Sequence, residues 1–375
     1  MRGLSKGEEC TANNPVLQLF VRSGAFLVDP VSATFYIENV TYPDNSPSVV
    51  VALTPFDLDP TGEGGHRLGI GRFYIPTGTT ASWSHGTHRA VCKYILEAGG
   101  QEYTQVVEFE ILNAACAPVG QGYVGYVATR DLYRDGYAVS SVTQPWQLHP
   151  HIKRISMDLE FQLGRFFEPR FVQYKLDGSA DYTLFLNEAI IAVEDVSYIS
   201  RDSDGVESYT AYGHGAYRVT NRHLDGLYVP DDRHNPMILS TTDIVTGDIL
   251  TGPGYTWPAG KQNLMVSGVF GFTDPDLGAD GTLIGHTPYE FVQVIGTLVS
   301  RSIEDPALTS LATWQPGLVK SYKTGKQQIQ FYGASGNVDY SEGITGDQLL
   351  DRLLQRFVAP SNLSYVNRSP AWEGV

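Results

Sequence analysis

The chain has 375 residues, 18% of them charged, and Asp and Glu outnumber Lys and Arg by 41 to 26, which gives a formal charge of −15. This length has room for two or three domains, and the acidic balance excludes a tight DNA-binding protein with a basic surface for phosphates. No apolar run approaches the roughly 18 residues of a transmembrane helix. The first ten residues lack the apolar core of a signal peptide, so we expect the protein to stay in the cytoplasm.

Residues 1–115 are typical of an all-β, immunoglobulin-like sandwich. Short runs of alternating apolar residues are separated by turn signals such as Tyr42–Pro47 and Ala98–Gly100, and no helical period interrupts them. The predicted strands cover residues 16–21, 33–40, 48–53, 71–75, 90–96 and 103–112. An Ala/Pro/Gly-rich linker follows at 114–120, so we expect the sandwich to be separable from the rest of the chain.

The next elements in the sequence are helical. Apolar residues then recur at steps of three and four and predict an amphipathic helix over 151–163, which Gly164 would end. Two alternating runs, 172–176 and 182–186, flank the turn-forming pair Asp177 and Gly178, so we predict that this helix packs on a β-hairpin.

The remaining sequence alternates between strand-like, polar and helical stretches. A polar, Gly-rich insertion near 200–256 indicates a surface loop or hairpin extension. A second long helix is predicted from Thr287, with Pro288 in its first turn and Glu290 closing a capping box. Leucines at helical spacing predict a last helix over 343–357.

The order of these elements resembles the head–tail adaptor (head completion, or connector) proteins of long-tailed bacteriophages, over roughly residues 120–360. Residues 126–136 look like the short first helix of such adaptors, with Thr129 as its N-cap, and residues 257–272 look like a late strand. The resemblance implies an α+β chain in which the N-terminal sandwich is followed by an adaptor domain, residues 116–375, of helices packed on antiparallel β-hairpins. The segment 85–96 is also similar to the penultimate strand of Ig-like modules on phage structural proteins. The core motif implied for the adaptor domain consists of Ile155, Leu159, Leu163, Arg165, Phe166 and Phe167.

The function that this resemblance implies is structural. Such adaptors form a ring in the virion neck, dock beneath the portal after assembly in the host cytoplasm, and connect the DNA-filled head to the tail. The expected partners are the portal protein, neighbouring copies of the chain (a dodecamer, by the symmetry of the family), tail-completion or neck proteins, and passing double-stranded DNA without sequence-specific binding. We expect an acidic inner wall that repels the duplex and lets it slide.

The tail over residues 359–375 carries a candidate portal-binding segment. It is polar and short but contains Leu363, Tyr365, Val366 and Trp372, which could anchor in a hydrophobic groove of the portal. The alternative is a frayed terminus without a partner.

No motif in the sequence indicates a catalytic, metal or cofactor site. Gly120, Gly122 and Gly125 match the spacing of the dinucleotide fingerprint, but no βαβ pattern surrounds them, so they indicate a linker. The histidines have no compact ligand spacing, and we therefore expect a protein that is not an enzyme. A β-rich carbohydrate-binding or tail-fibre-associated module is the alternative function, because the chain holds 22 tyrosines and 5 tryptophans.

Overall fold

The computed structural model describes residues 2–41, 47–59, 65–113, 123–220, 233, 236–240, 256–274, 285–304 and 348–358. Strands predominate over helices within these ranges, so the chain has the α+β, β-rich fold class that its sequence predicts. Its buried apolar side chains form two large clusters, one from residues 4–111 and the other from residues 112–357. The predicted linker lies outside the described residues, so the domain boundary near 115 stays a prediction.

The first part of the chain is all β. In chain order its strands are β1 (Arg2–Ser5), β2 (Gln18–Phe20), β3 (Arg22–Ser23), β4 (Phe26–Leu27), β5 (Ser32–Asn39), β6 (Ser48–Pro55), β7 (Arg67–Gly69), β8 (Arg72–Tyr74), β9 (Gly86–Ile95), β10 (Glu102–Leu112) and β11 (Tyr123–Val124). Each of the six strands predicted from alternation overlaps one of these and is confirmed.

Two sheets make the sandwich. The larger has the order β11-β1-β10-β9-β5-β6, with β1 parallel to β10 and the other pairs antiparallel, and the smaller has the order β2-β8-β7. In immunoglobulin terms the larger sheet contains strands G, F, C and C′, and the smaller contains B, E and D. The strand order therefore agrees with the immunoglobulin-like sandwich that the sequence predicts.

The core of the sandwich lies between the two sheets. Phe35 of β5 and Cys92 of β9 are cross-strand neighbours on the inner face, and Phe73 of β8 faces them from the other sheet. The ring of Phe56 bridges them, 4.8 Å from Phe35 and 6.0 Å from Phe73 between ring centroids. Cys92 is a free thiol, so it acts as a small apolar residue in this core.

The second part of the chain contains the helices and a second large sheet. Its elements are α1 (Thr129–Arg134), α2 (Pro145–Leu163), β12 (Arg170–Gly178), β13 (Thr183–Phe185), β14 (Ile190–Arg201), β15 (Glu207–Ala211), β16 (Tyr217–Thr220), β17 (Met237–Ser240), β18 (Gly260–Phe270), α3 (Tyr289–Glu304) and α4 (Gln348–Gln355). The main sheet has the order β12-β18-β14-β4-β3, with β15 also paired to β14, and a small sheet has the order β13-β17-β16.

The predicted hairpin between residues 172–176 and 182–186 is wrong. β12 pairs antiparallel with β18, from Arg170 opposite Phe270 to Leu176 opposite Leu264, whereas β13 pairs with β17 in the small sheet. The physical reason is that β18 is buried along most of its length and needs a partner on each side, which β12 and β14 supply. A hairpin does exist further along, between β14 and β15.

Helix α2 begins six residues earlier than the predicted 151–163 helix. Pro145 occupies its first turn, and Gln144 and Gln147 form a capping box with each other. Pro150 lies inside the helix, where it cannot donate a backbone hydrogen bond. Because a proline usually breaks a helix, the sequence pattern places the start of α2 after Pro150. Gly164 ends the helix in the left-handed region at φ 68°, as predicted.

The predicted cap of α1 needs correction, whereas the predicted start of α3 agrees with the structure. Thr129 is the first residue of α1 and not its N-cap, which is Ala128, because the Thr129 hydroxyl is hydrogen-bonded to Glu110 instead. Helix α3 begins at Tyr289, directly after Pro288, whose carbonyl accepts a hydrogen bond from Val292 at 3.0 Å. That is within one residue of the expected start.

The two parts of the chain share a sheet as well as a surface. The β3–β4 hairpin leaves the sandwich and joins the main sheet of the second part, where Phe26 pairs in parallel with Val193. A third, small hydrophobic cluster covers this junction and consists of Phe20, Leu27, Ile191, Ala192 and Val269. The sandwich is therefore built into the neighbouring sheet and is not only tethered to it.

Candidate functional site

The turn between α2 and β12 is the centre of the second hydrophobic core. Phe167 is fully buried, and its ring stacks on Phe291 of α3 with 3.9 Å between centroids. It also makes edge contacts with Phe357, just beyond α4, at 5.6 Å and with Tyr126 at 5.7 Å. One side chain thus joins the turn, α3 and the end of α4, three pieces that are far apart in the sequence.

All six residues of the implied adaptor motif are interior. The group buried along α2 and the following turn consists of Ile155, Leu159, Leu163, Arg165, Phe166 and Phe167. The Arg165 guanidinium lies 4.9 Å from the centre of the Phe272 ring. This cation–π contact stabilises the buried positive charge. The motif residues therefore form part of the hydrophobic core. Their assignment to an adaptor family stays a prediction.

A network of charged side chains lies beside this turn, with Arg170 at its centre. The Arg170 guanidinium donates to the two carboxylate oxygens of Glu160 at 2.6 and 2.8 Å, to Glu168 at 3.0 Å and to the Tyr126 hydroxyl at 2.9 Å. Tyr126 in turn donates to Glu160 at 2.6 Å. Arg2 of β1 reaches the same Glu168 at 3.0 Å, so the first strand of the sandwich is tied to this turn.

The charges of this network stabilise each other despite their burial. Burial alone would raise the pKa of the Glu168 carboxyl, but Arg2 and Arg170 outweigh it and hold that pKa well below its ordinary value. Burial would likewise lower the pKa of Arg170, but Glu168 and Glu160 raise it instead. Two ionised partners of opposite sign therefore persist in the interior, which requires this complete set of hydrogen bonds.

A second polar cluster lies at the seam, around Glu110 of β10. Its carboxylate is 3.0 Å from Nε2 of His149 on α2 and accepts hydrogen bonds from the backbone N–H of Thr129 at 2.9 Å and from the Thr87 hydroxyl at 2.8 Å. Glu110, Thr87, Thr129 and His149 are all buried. One carboxylate therefore connects the sandwich to the starts of both α1 and α2.

The pKa of Glu110 is shifted by this environment. Burial would raise it, but the hydrogen bonds from His149, Thr129 and Thr87 have the larger combined effect, and the net shift of the pKa is downward. Glu110 is therefore ionised at neutral pH although its side chain is fully buried. Nearby, Arg130 of α1 donates to Glu108 at 2.8 Å, so a more exposed ion pair flanks the buried one.

The outer face of α2 exposes apolar side chains. Met157 is 52% exposed and Phe161, one turn later, is 87% exposed, more than any other large apolar residue in the described part of the chain. Trp146 lies on the same face near the start of the helix and is 40% exposed, and Lys153 lies between them. Exposed apolar residues grouped on one face are typical of a surface that contacts another protein.

Several expectations fall on residues that the structure does not describe. The candidate portal-binding residues Leu363, Tyr365, Val366 and Trp372 all lie outside the described ranges. Within those ranges, His, Cys, Asp and Glu form no group that could hold a metal ion. None of the described helices is both long enough and apolar enough to cross a membrane.

The structure also reveals two clusters that the sequence did not predict. The sequence places His149 near the beginning of a helix and Glu110 in an alternating strand, and it does not indicate that they meet. Glu110 occupies an ordinary polar position of the alternation Val107 to Ile111, so nothing in the local sequence marks it as buried. Their pairing across 39 positions of sequence has no local signature.

Comparisons with known proteins leave the family open. No protein-family model and no curated protein matches this chain. Among solved structures, a chain from the neck of an empty GTA particle, computed with C6 symmetry, matches 61% of this chain and 87% of its own length. The sequence identity is 14% and the TM-score is 0.32, a value that does not establish a common fold.

Proposed function

We propose that this chain is a structural protein of a phage neck: an adaptor that forms a ring beneath the portal and connects the DNA-filled head to the tail. The observation that carries the proposal is the unit formed by α2, its turn and β12. The motif residues from Ile155 to Phe167 are buried together there, and α3 and α4 close over the same turn, in the chain order that the resemblance implies.

The surface of the chain supports a role in assembly and not in catalysis. The outer face of α2 places Met157 and Phe161 in solvent, where a neighbouring subunit or the portal could cover them. The two buried charged clusters, around Arg170 and Glu110, have partners for their carboxylates within the fold and hold elements together. In this proposal the protein acts in the virion neck after assembly in the host cytoplasm.

The net charge of −15 supports passage of DNA without tight binding. A ring whose inner wall is acidic repels the phosphate backbone, so the duplex slides through and is not held. A ring structure with a channel lined mainly by Lys and Arg would contradict this part of the proposal.

The test is assembly with purified portal protein. We expect mass photometry and negative-stain images to show rings of this chain bound at one end of the portal, with twelve copies if the portal symmetry is followed. Removing residues 360–375 should leave the melting temperature nearly unchanged but abolish portal binding, because the proposed anchors Leu363, Tyr365 and Trp372 are lost. If the truncated chain binds the portal as well as the parent chain does, residues 359–375 are a frayed terminus and not a portal-binding segment.

The carbohydrate-binding alternative makes a different prediction. It requires aromatic side chains gathered on one exposed concave face, whereas the exposed aromatics of the described residues are distributed over several elements. They are Trp146 and Phe161 on α2, Tyr182 just before β13, Phe185 on β13, Tyr209 on β15, and Tyr289 on α3. A monomer that binds glycans and ignores the portal would favour this alternative.

A further inference from the structure

The outward-facing side chains of α2 form one stripe along the helix. The stripe consists of Trp146, Lys153, Met157 and Phe161, which recur at steps of seven and four and therefore project from the same face. It is about 22 Å long, at a rise of about 1.5 Å per residue. Among the described residues, no carboxylate pairs with Lys153. The stripe thus offers apolar contacts around one unpaired positive charge.

Both flanks of α2 are already in contact with other parts of the chain. On one flank, the Ser156 hydroxyl accepts a hydrogen bond from the backbone N–H of Tyr126 at 3.2 Å. On the other flank, the Arg154 guanidinium donates to the Ser302 hydroxyl of α3 at 2.8 Å. A further partner of α2 must therefore meet the helix at the stripe.

The chain leaves the second hydrophobic core beside the C-terminal end of this stripe. Phe357 contacts Phe167, which lies just after α2, at 5.6 Å between ring centroids. Val358, the last described residue, packs against the same core, and Phe161 lies in the last turn of α2. Residues 359–372 can span about 46 Å when they are extended, at about 3.3 Å per residue. The tail is therefore long enough to reach every residue of the stripe.

We propose that in the free chain the tail, residues 359–375, lies along the stripe of its own α2 and covers it until the portal binds the tail. Leu363 and Tyr365 lie on the same side of an extended segment and pack on Phe161 and Met157. Docking removes exposed apolar surface that would otherwise favour contacts between copies before the portal is present. The release of the tail by the portal rests on the proposed neck function, whereas its docking on α2 does not.

Charge favours the tail over the α2 helix of a second copy. Two stripes paired antiparallel about a two-fold axis would bring Lys153 against Lys153, because this residue lies midway between Trp146 and Phe161. The tail instead carries one acidic residue, Glu373, directly after the anchor Trp372. Glu373 is within reach of Lys153 along the extended tail. The tail therefore supplies both the apolar side chains and the carboxylate that the stripe lacks.

The test measures how fast trypsin cleaves the tail of the full-length chain without portal. Arg368 is the one trypsin site in residues 359–375, and its rate of cleavage, followed by mass spectrometry, reports the undocked fraction of the tail. We expect Phe161→Asp to raise this rate about tenfold or more, because it places a charge under the apolar anchors. Val206→Asp, the matched control, makes the same change in charge at an exposed residue between β14 and β15 and should leave the rate unchanged.

A charge exchange tests the contact between the tail and α2 directly. We expect Lys153→Glu to raise the rate of cleavage at Arg368 about two- to fivefold, as the loss of an exposed ion pair does. Adding Glu373→Lys to that variant should restore the parent rate. Circular dichroism should show that each variant is folded. Dilution of the parent chain should not change its rate, because the tail docks within one chain.

Three results would overturn the docking of the tail. The first is equal rates of cleavage at Arg368 for the parent chain, Phe161→Asp and Val206→Asp. The second is protection of Arg368 that is lost on dilution, since the tail would then dock on another copy. The third is that Phe161→Asp speeds cleavage within residues 305–347 and not at Arg368, since that segment would then cover the stripe.

Portal binding tests the release step separately. Phe161→Asp, whose tail is already free, should bind the portal more tightly than the parent chain does, and unchanged or weaker binding would contradict the release of the tail by the portal. If neither chain binds the portal, the neck function is wrong. The docking of the tail is still decided in that case, because the trypsin measurements contain no portal.

Discussion

Glu110 on β10 and His149 on α2 lie 3.0 Å apart across the seam between the sandwich and the helices, and both side chains are fully buried. The pair joins an apolar strand to an apolar helix face, where a single charge would be costly. Its geometry makes the position of α2 depend on a residue of the sandwich. The contact between Glu110 and His149 therefore holds α2 against β10 at the seam.

Replacing this carboxylate should destabilise the whole chain. We expect Glu110→Gln to lower the free energy of unfolding by about 1–3 kcal/mol, because it leaves buried donors of Thr129 and Thr87 with a weaker acceptor. Glu102→Gln is the matched control on the same strand, since its exposed ion pair with Lys93 should contribute less than about 1 kcal/mol. Urea denaturation measures both, and equal losses would contradict the importance of the buried pair.

The register of α2 can be tested by truncating one buried and one exposed side chain. Leu159 is fully buried against the core, so Leu159→Ala should cost about 2–5 kcal/mol through lost burial and a residual cavity. Met157→Ala, on the exposed face of the same helix, should stay within about 0.5 kcal/mol. Thermal and urea unfolding report the difference, and similar losses for the two variants would show that the helix faces are assigned wrongly.

Stability should fall in acid through Glu168. Its pKa in the folded chain is held well below the ordinary value of 4.5 by Arg2 and Arg170, so its contribution is complete above pH 4.5 and is lost as the pH falls towards the folded pKa. We expect the parent chain to be more stable than Glu168→Gln at pH 7, and the gap to narrow below about pH 4.5. A gap that is independent of pH would rule out an ionised Glu168 as its source. Urea unfolding at a series of pH values measures it.

Deletion of residues 1–115 tests how independent the sandwich is. The sequence predicts a separable domain, but the deletion uncovers Ile191 and Val269, removes β4 from the main sheet and takes Glu110 away from His149. We therefore expect an aggregating product that binds a hydrophobic dye. Deletion of residues 360–375 is the control and should stay soluble. A soluble, cooperatively unfolding fragment 116–375 would show that the junction contributes little.

Local patterns were enough to predict many of the elements. Alternation located six strands of the sandwich, and helical spacing together with Gly164 located the end of α2. The last helix was predicted over 343–357 and is described from Gln348 to Gln355, with Leu350 and Leu354 buried and Leu349 exposed. These features are decided by residues within a few positions of each other, which is the range that a sequence pattern covers.

The failures have a common physical cause. The hairpin predicted around Asp177 and Gly178 was wrong because β12 satisfies its backbone with β18, a strand from much later in the chain. Thr129 was expected to cap α1, but its hydroxyl is held by Glu110 from another strand. In both cases a hydrogen-bond partner that is distant in the sequence replaces the local one. The pattern of a single sequence does not show which of the two partners is used.

The parallel pairing of Phe26 with Val193 has a consequence for the order in which the chain can fold. Residues 20–27 are synthesised early, but the sheet that receives them needs β14 and β18, which emerge much later. Until then Phe20 and Leu27 have no apolar cover from Ile191 and Val269. Closing such a non-local contact is slow compared with forming hairpins and helices. The sandwich can thus fold first and present its β3–β4 hairpin as a template edge, on which the later strands complete the second sheet.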